Sequence, residues 1–245
     1  MSNQVLFIHG LEGHPNGSKV RMLRDQGFDV RAENMHMSLM QFRKRNSAVR
    51  NVFRLAEVRV CAALFVASFV AAAALHLPML SVGAVGIAAW LFLRRRALLG
   101  AALNKSFITC VDIQRQALAS NPPDILIGSS WGGAVAAELI ATGAWKGPTI
   151  LLAPAIERVD VWARRGDLAQ TTAALRAAAE ASPVLIFHDP ADETVPHADS
   201  VRLAEGSAID LRTVDAGGHR LLLLLERGEL AEAVREATRA RLETP

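Results

Sequence analysis

Short apolar runs alternate with longer amphipathic segments over most of this chain. The runs are rich in aliphatic residues and are bounded by Gly, Pro, Asp or Asn, which is typical of buried strands, while the longer segments repeat apolar residues at helical spacing. The pattern predicts strands at 3–9, 28–34, 124–128, 148–154, 183–188 and 209–214 and helices at 18–26, 106–119, 133–143, 168–181, 197–205 and 221–242. Such an alternation predicts an α/β fold with a mostly parallel sheet flanked by helices.

An apolar insertion interrupts this alternation after the second strand. The 34 residues of Val60–Leu93 contain no Asp, Glu, Lys or Arg, and Pro78 separates an arm at 60–77 from an arm at 79–93. At about 1.5 Å per residue these arms would reach about 27 Å and 22 Å, against a hydrocarbon core of about 30 Å. Three interpretations remain open: a membrane hairpin that spans or re-enters the bilayer, an apolar cap on a soluble domain, and a buried dimerisation hairpin.

The charge of the chain is concentrated around this insertion. Residues 37–106 hold ten Lys and Arg against one acidic residue, Glu57, although the whole chain carries only +3. Basic clusters on both sides of the arms favour the anionic, cytoplasmic face of a membrane. We therefore predict that 60–93 contacts the cytoplasmic membrane, and that a globular domain formed by 1–36 and 107–245 lies on its cytoplasmic side. A nucleic-acid partner is not expected, because no aromatic platform accompanies the basic residues.

The insertion also shows helical patterns beside and within the arms. Apolar residues at helical spacing over 46–59 predict an amphipathic helix that runs into the first arm. Ala63, Ala67 and Ala71 recur every four residues in that arm, and small residues allow helices to approach closely. The close approach would occur within the hairpin or between copies of the chain, so a homo-oligomer is one expectation.

The main chemical motif is Gly128-Ser129-Ser130-Trp131-Gly132, which lies between a predicted strand and a predicted helix. A serine on such a tight strand-to-helix turn exposes its hydroxyl at the sheet edge, with a helix N-terminus behind it. This predicts Ser130 as a nucleophile, whereas Ser129 takes that place only if the turn is shifted by one residue. A serine hydroxyl needs a neighbouring base, usually a histidine that a carboxylate orients.

Candidate partners follow two later strands. The loop after strand 183–188 contains Asp192, and His219 follows Gly217-Gly218 after strand 209–214. Carboxyl ends of parallel strands meet at one edge of a sheet, so these side chains are expected near Ser130. Asp189 and Glu193 remain alternatives to Asp192 as the acid.

With its partners in the order Ser130, Asp192, His219, the chain resembles the α/β-hydrolases over residues 3–36 and 107–245. The loop from His188 to Pro196 resembles the family's H-G-x-x-D-x-x-V-P, with Asp189 where glycine is common. The segment 5–10, which ends in a His-Gly pair, resembles the family's first strand and the start of its oxyanion loop. The resemblance implies that the backbone N–H groups of Leu11 and Trp131 form an oxyanion hole and that catalysis needs no cofactor.

A metal site is not expected. Five histidines lie outside the His-Gly pair of the first strand and the turn that contains His219. None of the five shows a metal-binding spacing with another histidine or with a carboxylate; they are His14, His36, His76, His188 and His197.

The expected function is a membrane-associated serine hydrolase of the esterase or lipase kind that cleaves an ester or thioester. A hairpin in the bilayer would keep the site near an acyl lipid or another hydrophobic substrate. The alternatives are a membrane-assembly scaffold built on a hydrolase-like domain and a soluble esterase whose apolar insertion is a cap.

Overall fold

The computed structural model describes residues 3–75, 80–215 and 217–243. Its strands are β1 Gln4–Ile8, β2 Asp29–Arg31, β3 Met37–Ser38, β4 Asn46–Ser47, β5 Ile125–Ser129, β6 Thr149–Leu152, β7 Val184–His188 and β8 Asp210–Thr213. Its helices are α1 Ser18–Asp25, α2 Ala48–Arg54, α3 Ala56–Leu75, α4 Leu80–Ser120, α5 Trp131–Ala141, α6 Ile156–Ala163, α7 Leu168–Ala181, α8 His197–Ala204, α9 Leu222–Glu226 and α10 Glu229–Glu243. A 3₁₀ turn spans Gly218–Arg220.

The described residues form two compact units. The sheet unit comprises the described parts of Met1–Met35, Ile108–Val161 and Arg165–Pro245. The hairpin unit comprises the described parts of His36–Phe107 together with Trp162–Arg164. Helix α4 contributes residues to both units.

The sheet unit is built on six strands in the order β2-β1-β5-β6-β7-β8, and each neighbouring pair is parallel. Every residue of β5, β6 and β7 is buried, as expected for strands with both faces covered. The predicted α/β fold with a parallel sheet flanked by helices is therefore confirmed.

One face of the sheet packs on a continuous apolar cluster. Alternate residues of the strands point into it because successive side chains of a strand face opposite ways. Leucines of α9 and α10, such as Leu224 and Leu230, cover this face and are completely buried. The strand residues of the cluster are Val5, Phe7, Val30, Ile125, Ile127, Ile150, Leu152, Leu185 and Phe187.

All six predicted strands form, although β2 has three residues instead of seven. The helix predictions differ from the structure in two places. The segment 155–167, for which neither a strand nor a helix was predicted, contains α6. The closing helix, expected at 221–242, is divided into α9 and α10, because Gly228 between them has a φ of +77° that ends the first helix.

In the hairpin unit, the helical conformation is interrupted between α2 and α3. Leu55 has an extended ψ of 133°, so the predicted amphipathic helix stops there instead of running into the first arm. Helix α3 then has 20 residues, and α4 continues for 41 residues through Arg94 without a break. The predicted second arm and the helix predicted at 106–119 are thus one helix. The residues 76–79, which include Pro78 and the inner ends of both predicted arms, lie outside the described residues.

Helices α3 and α4 lie side by side. A Cβ placed on Gly83 would be 3.6 Å from the hydroxyl of Ser68, and the guanidinium of Arg94 is 3.9 Å from the carboxylate of Glu57. Small residues at the crossing permit this approach. Most large apolar side chains on both helices are exposed in the chain by itself, including Leu64, Phe65, Val66, Phe69, Val85, Phe92 and Leu93.

Candidate active site

Ser130 lies on a strained turn at the carboxyl end of β5. Its φ of 56° and ψ of −116° are unusual for a residue with a side chain, and such a conformation costs about 1–3 kcal/mol. Backbone hydrogen bonds on both sides hold it: the N–H of Ser130 donates to the carbonyl of Leu152 at 2.9 Å, and its carbonyl accepts from Gly133 and Ala155. The turn therefore projects the hydroxyl away from the sheet, as the motif predicts.

The glycines of the motif are needed for close packing. A Cβ on Gly132 would lie 2.1 Å from the carbonyl oxygen of Ile8, and a Cβ on Gly128 would lie 2.6 Å from that of Gly132. Neither glycine has a positive φ. The first turn of α5 therefore lies directly against β1 and β5, and only a hydrogen atom fits between them.

The structure brings Ser130, His219 and Asp192 together. The hydroxyl of Ser130 is 2.9 Å from Nε2 of His219, and Nδ1 of the same ring is 2.7 Å from Oδ2 of Asp192. His219 reaches this position on the 3₁₀ turn that follows β8. Gly217 and Gly218 precede it with φ values of +82° and +70°, which favour glycine.

Asp192 is buried and ionised. Burial acts to raise its pKa, but hydrogen bonds from the amide of Val195, the ring of His219 and the amide of Thr194 outweigh it and hold the pKa below the ordinary value. The two amides donate to Oδ1 at 2.9 Å and 2.7 Å. The ionised carboxylate can only accept, so Nδ1 of His219 carries the proton and donates to it. Nε2 is then unprotonated and accepts the hydrogen bond from the hydroxyl of Ser130. This is the tautomer that a general base needs.

A second histidine also holds Asp192. His188, at the end of β7, is completely buried, and its Nε2 is 3.1 Å from the carbonyl of Val195 and 3.2 Å from Oδ2 of Asp192. Its Nδ1 is 2.7 Å from the hydroxyl of Ser200. Burial lowers the pKa of His188, so the ring is neutral, donates from Nε2 and accepts from Ser200. The sequence analysis gave His188 no catalytic role, and its i, i+4 spacing to Asp192 was the available signal.

The two alternative acids lie elsewhere. The carboxylate of Asp189 accepts from the amides of Ala191 and Gly218, both at 2.7 Å, and so links the acid loop to the turn that carries His219. Glu193 is exposed.

The alternative nucleophile is engaged with a lysine. Ser129 is only 5% exposed, and its hydroxyl accepts a hydrogen bond of 2.9 Å from Nζ of Lys19 on α1. Sequence reasoning did not find this lysine, because 110 positions separate the two residues.

The two residues of the expected oxyanion hole lie on segments that adjoin Ser130. A Cβ on Gly10 would be 3.2 Å from Cβ and 3.7 Å from Oγ of Ser130, so the loop that continues to Leu11 passes beside the nucleophile. Trp131 is the first residue of α5, and amides in the first turn of a helix point out of its N-terminal end. The role of both amides stays a prediction.

Metal ligands do not cluster in the described ranges 3–75, 80–215 and 217–243. No group of three or more His, Cys, Asp or Glu residues there could hold a metal ion. His76 lies outside the described residues.

Comparison by sequence found no matching family model, and no curated protein matches significantly. Comparison by structure found proteins of similar fold. Est1E from Butyrivibrio proteoclasticus is 16% identical, with a TM-score of 0.53 over 98% of this chain and 88% of that one. TT1662 from Thermus thermophilus is 14% identical, with a TM-score of 0.54 over 96% of this chain and 88% of that one. A protein from Xanthomonas campestris pv. campestris assigned to the α/β hydrolase superfamily is 17% identical over 96% of this chain and 99% of that one, with a TM-score of 0.48.

The two likenesses with TM-scores above 0.5 agree with the topology on the fold. The parallel strand order, the serine turn after β5, the acid loop after β7 and the histidine after β8 together define an α/β-hydrolase fold. At such low identity the solved structures show the fold and not the activity.

Proposed function

We propose that this protein is a serine hydrolase that cleaves an ester or thioester through an acyl-enzyme. The observation that carries the proposal is the hydrogen-bonded series from Ser130 through His219 to Asp192, with distances of 2.9 Å and 2.7 Å, on a strained strand-to-helix turn. The likeness to Est1E and TT1662 supports the proposal through the fold, which commonly presents such a series.

In the proposed reaction, Oγ of Ser130 attacks the carbonyl carbon while its proton passes to Nε2 of His219. The resulting oxyanion accepts hydrogen bonds from the amides of Leu11 and Trp131, and one such donor contributes about 3–4 kcal/mol to lowering the barrier. Collapse of the intermediate expels an alcohol or thiol, which takes the proton from His219. Water then attacks the acyl group, gives a proton to His219, and the carboxylic acid leaves as that proton returns to Ser130.

Labelling with a fluorophosphonate probe tests this proposal. The wild-type protein should be labelled, and Ser130→Ala should not, because the probe bonds only to an activated serine. Ser129→Ala is the matched control, since it removes the neighbouring hydroxyl but leaves the series intact. Labelling that persists in Ser130→Ala, or a folded wild type that takes up no probe and hydrolyses no ester, would contradict the proposal.

We further propose that the hairpin unit anchors the enzyme in a membrane, so that its substrates are acyl lipids or other hydrophobic esters. Among the described residues one helix is long and apolar enough to cross a bilayer, Ala56–Ala74, and only 6% of it is buried. At about 1.5 Å per residue its 19 residues extend about 28 Å, which is close to the hydrocarbon thickness of about 30 Å. Exposing this many large apolar side chains to water is unfavourable, whereas lipid removes that cost.

Extraction of membranes with alkaline carbonate tests the anchor. The wild-type protein should stay in the membrane pellet. Leu64→Lys/Phe69→Lys should release it, because each lysine in the bilayer centre costs about 2.5–3.5 kcal/mol of insertion energy. Both side chains are exposed, so the fold should tolerate the changes. Val161→Lys/Val201→Lys, at exposed apolar positions of the sheet unit, is the matched control.

A wild-type protein in the carbonate supernatant would overturn the anchor and favour the apolar cap. In that case the lysines in α3 should alter ester hydrolysis without moving the protein between fractions. The particle size in detergent, measured with and without residues 60–93, separately tests whether the hairpin joins copies of the chain.

A further inference from the structure

Lys19 places a cation next to the nucleophile. Its side chain extends from α1 to the end of β5, where Nζ donates to the hydroxyl of Ser129, the residue before Ser130. Lys19 is half-buried, and the hydroxyl that its ammonium contacts carries no charge. An ammonium has three N–H donors, so one hydroxyl leaves most of its capacity for another acceptor.

The charges around Lys19 favour an added anion. Burial is the main cause that lowers the pKa of Lys19 to about 8, and the positive charge of Arg220, next to His219, lowers it further. Asp192 acts in the opposite direction, but its carboxylate already accepts from His219 and from two backbone amides. A substrate anion beside the ammonium of Lys19 would offset this positive charge and replace the water that the ammonium lost on burial.

We propose that the ammonium of Lys19, which is hydrogen-bonded to the residue before Ser130, forms a cationic subsite that binds an anionic group, a carboxylate or a phosphate, of the ester substrate. The inference rests on the proposed hydrolase function and specifies its substrate: an ester with a negative charge close to the scissile bond. The subsite raises kcat/KM for charged esters relative to uncharged esters of the same size. Lys19 is hydrogen-bonded to the residue before the nucleophile, so an anion held by its ammonium also fixes the position of the reacting carbonyl.

Two pairs of substrates test the subsite and separate the two sources of charge. The first pair is p-nitrophenyl hemisuccinate and p-nitrophenyl butyrate, which differ in a terminal carboxylate. The second is 1-oleoyl lysophosphatidate and 1-oleoylglycerol, which differ in a phosphate. For each pair the measured quantity is the ratio of kcat/KM for the charged ester to that for the uncharged one. The pair with the larger ratio identifies the anion.

The expected ratio in the wild type is well above one in at least one pair, and Lys19→Met should lower it tenfold or more. Lys19→Arg, which keeps the charge, should keep most of the preference. Lys146→Met, at an exposed lysine of the same unit, is the control and should leave the ratio unchanged. Ser129→Ala removes the hydrogen bond but keeps the charge of Lys19. If Lys19 serves only to hold Ser129, both Ser129→Ala and Lys19→Met will lower kcat/KM equally for the charged and the uncharged ester of a pair. That result would overturn the subsite.

A binding measurement separates failure of the subsite from failure of the proposed function. Succinate and inorganic phosphate are added to the inactive Ser130→Ala variant, and the shift in Tm is compared with that of Ser130→Ala/Lys19→Met. A shift that depends on Lys19 supports the subsite even if no ester is hydrolysed. Ester hydrolysis that needs Ser130, with neither a Lys19-dependent ratio nor a Lys19-dependent Tm shift, rejects the subsite and leaves the hydrolase.

Discussion

Replacing Asp192 by asparagine isolates the contribution of the acid, because the structure determines how the amide must lie. The two backbone amides at Oδ1 require an acceptor, so the oxygen of the new side chain takes that position. Its NH₂ group then faces Nδ1 of His219 at the place of Oδ2. The reverse orientation would direct the NH₂ group at the N–H groups of Thr194 and Val195, and two donor–donor contacts would result.

The consequence for catalysis is the wrong tautomer. A donor at the position of Oδ2 makes Nδ1 of His219 an acceptor and leaves the proton on Nε2, which faces Ser130. The ring cannot then accept the proton of the serine hydroxyl. Exchange of the acid for an amide in a triad of this geometry costs about 10⁴ in kcat, or about 5.4 kcal/mol of activation free energy. We expect a loss of this size in kcat for p-nitrophenyl butyrate.

The consequence for stability is smaller and comes from His188. Its Nε2 donates to Oδ2 of Asp192 and to the carbonyl of Val195, so an NH₂ group at that position meets a donor. If the ring changes tautomer to accept it, the carbonyl of Val195 loses its partner. Either way one buried polar group is left without a hydrogen bond, which costs about 1–3 kcal/mol of unfolding free energy.

The assay therefore combines ester hydrolysis with urea unfolding monitored by circular dichroism. Glu193→Gln is the control, because it makes the same chemical change at the exposed neighbour and should alter kcat less than threefold. If Asp192→Asn is folded and retains more than a tenth of the wild-type kcat, then the carboxylate does not set the tautomer of His219. An equal loss in Glu193→Gln would reject the assignment in another way.

Three further outcomes are expected. Gly132→Ala should unfold at least about 1–3 kcal/mol more easily in urea and lose fluorophosphonate labelling, because its Cβ would lie 2.1 Å from the carbonyl of Ile8; unchanged stability would show that α5 does not pack so closely. Burial lowers the pKa of His188 below its unfolded value of about 6.5, so the free energy of unfolding of the wild type should decrease as the pH falls below about 6.5. Urea titrations at each pH should show a smaller decrease in His188→Gln. Burial and then the charge of Arg220 lower the pKa of Lys19 to about 8, so the preference for charged esters should decline between about pH 7 and pH 9 in the wild type and persist in Lys19→Arg. If the preference of the wild type does not change with pH, a group other than Lys19 causes the preference.

The parts of the fold that the sequence predicts are those that depend on neighbouring residues. The sheet strands β1, β5, β6 and β7 are runs of mostly apolar residues, and β2 and β8 alternate polar and apolar residues, so their existence follows from local pattern alone. The site residues follow from one more step, because parallel strands place their carboxyl ends at one edge. Ser130 comes directly after such an end, and Asp192 and His219 lie in the loops that follow two others, so their convergence in space needs no knowledge of any long-range contact.

The parts that the sequence does not predict depend on distant pairs or on helix continuity. The bond between Lys19 and Ser129 joins α1 to β5, and nothing in either segment indicates the other. Helix α4 continues through Arg94–Arg96 because arginine is a good helix former, whereas the change from apolar to charged residues suggests an end there. A change in polarity marks where the environment changes along a helix, whereas a departure from helical backbone angles ends it, as at Leu55 and Gly228.

The same distinction explains why the sequence left Asp189 and Glu193 open as alternatives to Asp192 for the acid. Asp189, Asp192 and Glu193 stand within five positions on one loop, and each offers a carboxylate at the correct edge of the sheet. Their contacts separate their roles. Asp189 accepts a hydrogen bond from the amide of Gly218 and positions the turn that carries His219, while Asp192 contacts the imidazole itself. The loop thus supplies one carboxylate for the backbone that carries His219 and one for its ring. Asp189→Asn should consequently disturb the position of His219 rather than its tautomer, so we expect it to weaken labelling by less than Asp192→Asn and to destabilise the 217–220 turn.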